Sequence, residues 1–216
     1  KGSFRKNRFE RILWCAVVDC CDDGDRVRGP AWAADGVPDL GPGRRPPARG
    51  TARRHGIGGE LGRARGGLLD ALALTRVTVL GHSSGSVAAH LLARAYPDRV
   101  AALVLVEPPP PVPLGLRLPP RPAGPLPYDW AAREAVVAEL NAPPPTWWEE
   151  LTEITAPTLV VAGGPASHLP QHELARMAAR IPAARLVTVE AGHAVPAARP
   201  AEFAAAVRDF LAALPG

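Results

Sequence analysis

The stretch RVTVLGHSSGSVAAHLLARAYPDRVAALVLVEPPP, residues 76–110, places Ser83 between two glycines, after an apolar run and before a helical pattern. Residues 81–85 fit the pattern Gly-x-Ser-x-Gly, in which the glycines permit a sharp turn that exposes the serine hydroxyl above a sheet. In a chain with 21 glycines the five-residue match is weak, and a structural turn is the alternative. The strand before it and the helix after it favour a nucleophile.

Short apolar runs alternate with helical patterns from residue 77 onwards. The runs predict strands at residues 77–80, 100–106, 158–162 and 185–190, and the helical patterns lie at residues 86–96, 171–180 and 200–214. Strands that alternate with helices of this length indicate β-α-β units. Uninterrupted apolar strands are typical of parallel sheets covered on both faces. The sequence therefore predicts an α/β fold with a mostly parallel sheet flanked by helices.

Composition divides the chain into three parts. Residues 1–67 are basic and rich in glycine, proline and arginine, which predicts an irregular N-terminal region. Residues 68–107 and 156–216 form the predicted core, whose first element is a short helix from Leu68. Residues 108–155 interrupt it with a proline-rich run and two helical patterns. Insertions after strands lie where α/β folds bind ligands, so this one is a predicted lid.

Charge and cysteine content argue against several classes of function. The net charge of +4 comes from residues 1–65, which carry +6, while the rest carries −2. The basic region lacks interleaved aromatic residues, so no nucleic-acid partner is expected.

No apolar run approaches the roughly 18 residues of a membrane span, and residues 12–18 lack a signal-peptide cleavage site. No metal-ligand spacing occurs among the cysteines, and we expect a cytoplasmic protein with free thiols at Cys15, Cys20 and Cys21.

A nucleophilic serine requires a base, which an acid in turn orients. His193 follows Gly192 on the loop between the last predicted strand and the last helix, from which it can reach over the edge of the sheet. It is the predicted base, with simple surface exposure as the alternative. His55 and His90 are expected to be structural or solvated.

Four segments together resemble the alpha/beta-hydrolase superfamily over roughly residues 68–214. They are RVTVLGHSSGS (76–86), YPDRVAALVLVE (96–107), ITAPTLVVAGG (154–164) and AGHAVPAARPAEFAAAVRDFL (191–211). The resemblance implies that the predicted strands are the fifth to eighth of the family's sheet. It also implies that Ser83 is the nucleophile, His193 the general base and the backbone N–H of Ser84 one oxyanion-hole donor.

The acid departs from the usual pattern of this family. Most members carry it after the seventh strand, where this sequence has Ala166. Glu107, however, ends the sixth strand, and some members, including haloalkane dehalogenases, place their acid there. Neighbouring strands lie about 5 Å apart, so Glu107 can reach His193. Glu107 is the predicted acid, and a structural role at the start of the proline-rich loop is the alternative.

Several other side chains are predicted to bind substrate. Ser167 and His168 occupy the loop that the usual acid has vacated, where they either contact substrate or line the entrance. Histidine and tryptophan rings could wall an acyl or alcohol pocket, with structural packing as the alternative; the residues assigned to substrate binding are His82, His168, Trp130, Trp147 and Trp148.

The N-terminal region also departs from the family. A His-Gly motif there normally supplies the second oxyanion donor, but RHGIGG at residues 54–59 follows the VPDL of residues 37–40 instead of preceding it. Only 35 residues precede the segment that starts at Gly36, too few for the first three strands. We therefore expect the N-terminal strands to be incomplete or irregular, as in a truncated or out-of-frame sequence.

These features predict a serine hydrolase that cleaves a small carboxylic ester or related acyl compound through an acyl-enzyme, without a cofactor or a metal. Dehalogenase and epoxide hydrolase chemistry is disfavoured because the family members that perform it use an aspartate nucleophile. The alternative is a non-catalytic or incomplete hydrolase fold that binds a small molecule or retains residual activity. Oligomeric state stays open.

Overall fold

A computed structural model of the chain describes residues 12–16, 69, 74–126 and 129–214. Five parallel strands form one sheet in the order β1-β2-β3-β4-β5. They are β1 (Ile12–Ala16), β2 (Val77–His82), β3 (Val100–Val106), β4 (Thr158–Ala162) and β5 (Ala184–Thr188). Because all neighbouring pairs are parallel, every strand ends at the same edge of the sheet.

Helices connect these strands or follow them. They are α1 (Ser84–Ala95), α2 (Trp130–Asn141), α3 (Trp147–Glu150), α4 (Gln171–Arg180), α5 (Val195–Ala198) and α6 (Pro200–Ala212). The predicted α/β fold with a parallel sheet flanked by helices is confirmed. The last strand ends earlier than predicted, because its partner β4 ends at Ala162, which pairs with Thr188. None of the described helices is long and apolar enough to cross a membrane.

Strand β1 lies inside the segment that composition predicts to be irregular. It pairs in parallel with β2, in a register that sets Ile12 beside Thr78 and Ala16 beside His82. The rest of residues 1–67 lies outside the described residues, as does most of the helix predicted from Leu68, of which Leu69 is helical and buried.

Strand β3 explains why its sequence is apolar without interruption. Leu103 and Leu105 pack into one core cluster with residues of α1 and α4, whereas Val104 and Val106 pack into a second cluster with residues of α6. All four are fully buried. Burial of each such side chain contributes about 1.5–3 kcal/mol, and the sheet is covered on both faces as the sequence predicts.

The segment between β3 and β4 is braced internally at α2 and fastened to the core near α3. Asn141, at the end of α2, exchanges two hydrogen bonds with the backbone of Leu116, at 2.7 and 2.8 Å. Further along, Arg94 of α1 forms ion pairs with Glu150 at 2.5 Å and Glu153 at 2.9 Å. These contacts hold the proline-rich run against α2 and the region of α3 against α1.

A buried histidine lies under α3. His90 of α1 is 1% exposed, and its ring centroid is 5.5 Å from that of Trp147. Within the described part of the chain, the indole nitrogen of Trp147 has no hydrogen-bond partner. Burial, together with the nearby positive charge of Arg94, lowers the pKa of His90 from 6.5 to about 3.

We expect His90 to make the folded protein sensitive to acid. Its pKa is lower in the folded than in the unfolded state, so the unfolded state binds more protons between about pH 6.5 and pH 3. The free energy of unfolding should fall as pH falls through this window, by up to about 1.4 kcal/mol per pH unit from this group. Urea unfolding at several pH values should show a shallower dependence in His90→Leu than in the parent protein.

The control for this measurement is His172→Leu, because the side chain of His172 is 79% exposed. That variant should keep the parental dependence of stability on pH. An unchanged dependence in His90→Leu would contradict the assignment.

Candidate active site

Ser83 occupies a sharp turn between β2 and α1. Its backbone is in the left-handed region, with φ 53°, and its N–H donates to the carbonyl of Val106 at 2.9 Å. A Cβ atom on Gly81 would lie 2.5 Å from the carbonyl oxygen of Gly85, so only glycine permits this close approach of helix and strand. Ser86 closes the turn by donating to the carbonyl of Gly81 at 2.8 Å. Packing therefore requires glycine at the first position of the motif.

Glu107 directly follows β3 and also has a positive φ. Its φ is 46°, and its N–H donates to the carbonyl of Val161 at 2.8 Å. Among the described residues, Ser83 and Glu107 are the non-glycine residues with positive φ. Each such conformation costs about 1–2 kcal/mol and persists only where the surroundings impose it. The strain thus falls at the ends of two adjacent strands, where both side chains are predicted to act.

The loop after β5 carries His193 towards these two residues. The N–H groups of Ala191 and Gly192 both donate to the carbonyl of Gly163, at 3.0 and 2.9 Å. A Cβ atom on Gly163 would lie 2.0 Å from the carbonyl oxygen of Gly192, so this contact also requires glycine. The Nε2–H of His82 donates to the carbonyl of His193 at 2.8 Å. Backbone contacts on two sides therefore fix the position of His193.

Ser83, His193 and Glu107 form one hydrogen-bonded chain. Nε2 of His193 lies 2.9 Å from Oγ of Ser83, and Nδ1 lies 3.2 Å from Oε2 of Glu107. A carboxylate only accepts, so Nδ1 carries the hydrogen and Nε2 is left to accept the serine proton. Ser83 is 8% exposed and Glu107 is fully buried. This is the geometry of a nucleophile, a base and an acid that orients the base.

The carboxylate of Glu107 receives three more hydrogen bonds from the loop after β4. Oε1 accepts from the N–H of Gly163 at 2.5 Å and from Nε2 of Gln171 at 3.2 Å, while Oε2 accepts from the hydroxyl of Ser167. Burial raises the pKa of Glu107, but hydrogen bonds from His193, Ser167, the Gly163 backbone and Gln171 outweigh it and lower the pKa below its usual range. The group is therefore an ionised carboxylate at neutral pH.

Two of the predicted substrate-binding residues lie beside His193. The ring centroid of His82 is 5.0 Å from that of His193, and the ring centroid of His168 is 4.4 Å from it on another side. His168 is exposed, as expected for a group at the entrance, whereas His82 is half-buried. Their contact with substrate stays a prediction.

The contacts of the three tryptophans of the insertion lie away from Ser83, His193 and Glu107. Trp147 belongs to the core cluster that includes α1, and Trp148 lies under the guanidinium of Arg176, 4.3 Å from its ring centroid. Trp130 donates to Glu134 at 2.8 Å within its own helix. These contacts account for all three rings by structural packing, and their role in a pocket stays a prediction.

Ser84 is the first residue of α1. The N–H groups of the first helical turn, including that of Ser84, have no acceptor within the helix. This group lies next to Ser83, as an oxyanion donor must. The RHGIGG segment, residues 54–59, lies outside the described residues. Within the described residues no group of three His, Cys, Asp or Glu side chains is arranged to hold a metal.

The sequence did not reveal what Ser167 and Gln171 do. The sequence predicts that Ser167 contacts substrate or lines the entrance, whereas its hydroxyl points to the buried carboxylate of Glu107. Gln171 is the first residue of α4, and nothing in its local sequence indicates its contact with Glu107. One feature of the sequence could have indicated these roles. The segment after β4 has no acid, but it carries two side-chain hydrogen-bond donors within nine residues of the end of β4.

Comparison with known proteins agrees with the observed fold. The family model for the alpha/beta hydrolase fold matches residues 67–135, a stretch that contains β2, Ser83, α1, β3 and Glu107. The chain has the alpha/beta-hydrolase fold. A search of curated protein sequences finds no match.

Solved structures of several hydrolases and of a lactonase superpose on this one. A hydrolase of Pseudomonas aeruginosa is 25% identical with a TM-score of 0.58, over 76% of this chain and 75% of the other. A predicted CIB-like hydrolase of Thermoplasma acidophilum is 22% identical with a TM-score of 0.54, over 74% of this chain but only 61% of its own length. The enol-lactonase of Burkholderia xenovorans is 18% identical with a TM-score of 0.56, over 72% and 73%.

The contact between the two loops predicts a severe effect of Gly163→Ala. The added Cβ would meet the backbone of Gly192 at 2.0 Å, and backbone cannot move aside as a flexible side chain can. We expect a loss of about 1–3 kcal/mol in the free energy of unfolding, together with displacement of His193. Histidine-selective ¹⁵N NMR should show changed His193 signals.

Gly115→Ala is the matched control. Gly115 also has a positive φ, of 64°, but a Cβ atom there would meet nothing within 4 Å. It should lose some stability to backbone strain and leave the His193 signals as they are. Unchanged His193 signals in Gly163→Ala would show that the loop contact is dispensable.

Proposed function

We propose that this protein is a serine hydrolase that cleaves a carboxylic ester or a related acyl compound through an acyl-enzyme. The observation that carries the proposal is the hydrogen-bonded chain from Ser83 through His193 to Glu107, with contacts of 2.9 and 3.2 Å. The fold neighbours include hydrolases and a lactonase, which support hydrolytic chemistry as a class. The choice of an acyl substrate rests on the serine nucleophile.

In the proposed reaction, Nε2 of His193 accepts the proton of Ser83 as Oγ attacks the substrate carbonyl carbon. Glu107 stabilises the imidazolium that forms. The N–H of Ser84 stabilises the oxyanion of the tetrahedral intermediate. His193 then returns the proton to the leaving alcohol, and a water molecule activated by the same nitrogen releases the acid from Ser83.

Ser83→Ala should abolish hydrolysis of a short p-nitrophenyl ester and labelling by a fluorophosphonate probe. The substitution removes the only atom that can form the acyl-enzyme in this mechanism. Thr152→Ala, which removes an exposed hydroxyl from the insertion, is the control and should keep the parental rate and labelling.

Retention of hydrolysis by Ser83→Ala would reject the proposed mechanism. If the parent protein is neither labelled nor active, the alternative applies, namely a fold that binds a small molecule without turning it over. Labelling that requires both Ser83 and His193 would support an assembled site even where turnover is slow, because loss of one oxyanion donor alone reduces rate by roughly 100-fold to 1000-fold.

Glu107→Gln should lower kcat by about four orders of magnitude, as loss of the acid does in other serine triads. An amide placed among the same donors turns an N–H towards one of them, and it favours the tautomer of His193 that cannot accept the serine proton. Steady-state kinetics on the same ester should show the loss mainly in kcat.

Glu202→Gln is the control for this substitution, since the side chain of Glu202 is 57% exposed on α6. It should behave like the parent protein. A Glu107→Gln protein with parental kcat would remove Glu107 from the mechanism and leave it a structural role.

A further inference from the structure

Two side chains between the end of β4 and the start of α4 donate hydrogen bonds to the carboxylate of Glu107, which follows β3. Ser167 and Gln171 lie 60 and 64 residues from Glu107 in sequence, yet each donates to a different oxygen of its carboxylate. Neither of them is part of the Ser83–His193–Glu107 chain. Their loop is the one whose usual acid position holds Ala166.

The hydrogen positions on both side chains follow from their other contacts. The N–H of Leu169 donates to Oγ of Ser167 at 3.1 Å, so the hydroxyl hydrogen of Ser167 is free to point at Oε2 of Glu107. The N–H of Gly164 donates to Oε1 of Gln171 at 3.0 Å, which turns the NH₂ group of Gln171 to Oε1 of Glu107. Backbone groups therefore aim both donors before any substrate arrives.

Both donors act on the oxygen atoms that set the strength of the contact with His193. Ser167 shares Oε2 with Nδ1 of His193. Gln171 and the Gly163 backbone occupy Oε1. Each donor withdraws negative charge from the carboxylate and also blocks its rotation, because every other orientation would break two or more hydrogen bonds inside the core.

We propose that Ser167 and Gln171 are positioning residues that fix the Glu107 carboxylate against His193 and limit how strongly it attracts the proton of the imidazolium. This inference rests on the proposed function, because the contact between Glu107 and His193 affects a reaction rate only if His193 is the general base. Ser167 is the more influential of the two, because it binds the same oxygen as His193.

The electrostatic surroundings of His193 make the effect of these residues separable. Among the described residues, the titratable groups that face His193 are Glu107 at the end of β3, His82 at the end of β2 and His168 after β4. None of these is altered by a substitution at Ser167 or Gln171. A shift in the titration of His193 in such variants therefore reports on the carboxylate.

The test compares Ser167→Ala, Ser167→Thr and Gln171→Leu in the full chain by histidine-selective ¹⁵N NMR, with the His193 signal assigned by its loss in His193→Gln. Removal of the hydroxyl leaves more charge on Oε2, so the titration midpoint of His193 should rise by roughly half to one pH unit in Ser167→Ala. Ser167→Thr should restore the parental midpoint. Gln171→Leu should shift it in the same direction by less.

Kinetics supply a second readout that a purely structural role would not move. The acidic limb of the pH profile of kcat/KM should shift upwards with the NMR midpoint, and kcat should fall by about tenfold while KM is kept. Parental midpoints in both Ser167→Ala and Gln171→Leu would overturn the inference. Because the NMR signal does not require turnover, this outcome is distinct from retained activity in Ser83→Ala, which would reject the proposed function instead.

Discussion

Glu107 carries a negative charge into a part of the molecule that water does not reach, and four donors from two loops converge on it. A buried carboxylate without partners would be protonated or would destabilise the fold. Here the carboxylate joins the loop after β4 to the loop after β5, since Gly163 and His193 both donate to it. The arrangement of the candidate site depends on this one group.

Packing constraints around the same point explain the glycines. Because Gly163 has no side chain, the loop of His193 can approach it closely, and the carbonyl of Gly163 accepts two N–H groups of that loop. The N–H of Gly163 donates to Glu107. Gly81 plays the corresponding part under Ser83, where α1 lies against β2. The proposed nucleophile, base and acid are each held by backbone contacts that a larger residue would prevent.

The parts of this arrangement that are local in sequence could be predicted. Ser83 is marked by glycine spacing and by the strand and helix beside it, and Glu107 by its place directly after a strand that adjoins that of Ser83. The roles of Ser167 and Gln171 could not be foreseen, because they arise only when a loop folds back onto a residue about sixty positions away. Amphipathic patterning also cannot show whether Trp147 faces a pocket or the core. Strand β1 could not be predicted from its local sequence, because it forms by pairing with β2, about sixty residues away.

Ser83 and Glu107 belong to a single β-α-β unit, formed by β2, α1 and β3, whereas His193 arrives from the far end of the sheet. The relative placement of these two residues, the proposed nucleophile and acid, is thus a property of short-range contacts, which form early and quickly. During synthesis this unit leaves the ribosome well before the loop of His193. In the proposed mechanism, Ser83 therefore has no base to take its proton until the last β-α segment docks, so the growing chain would be inactive until His193 is in place.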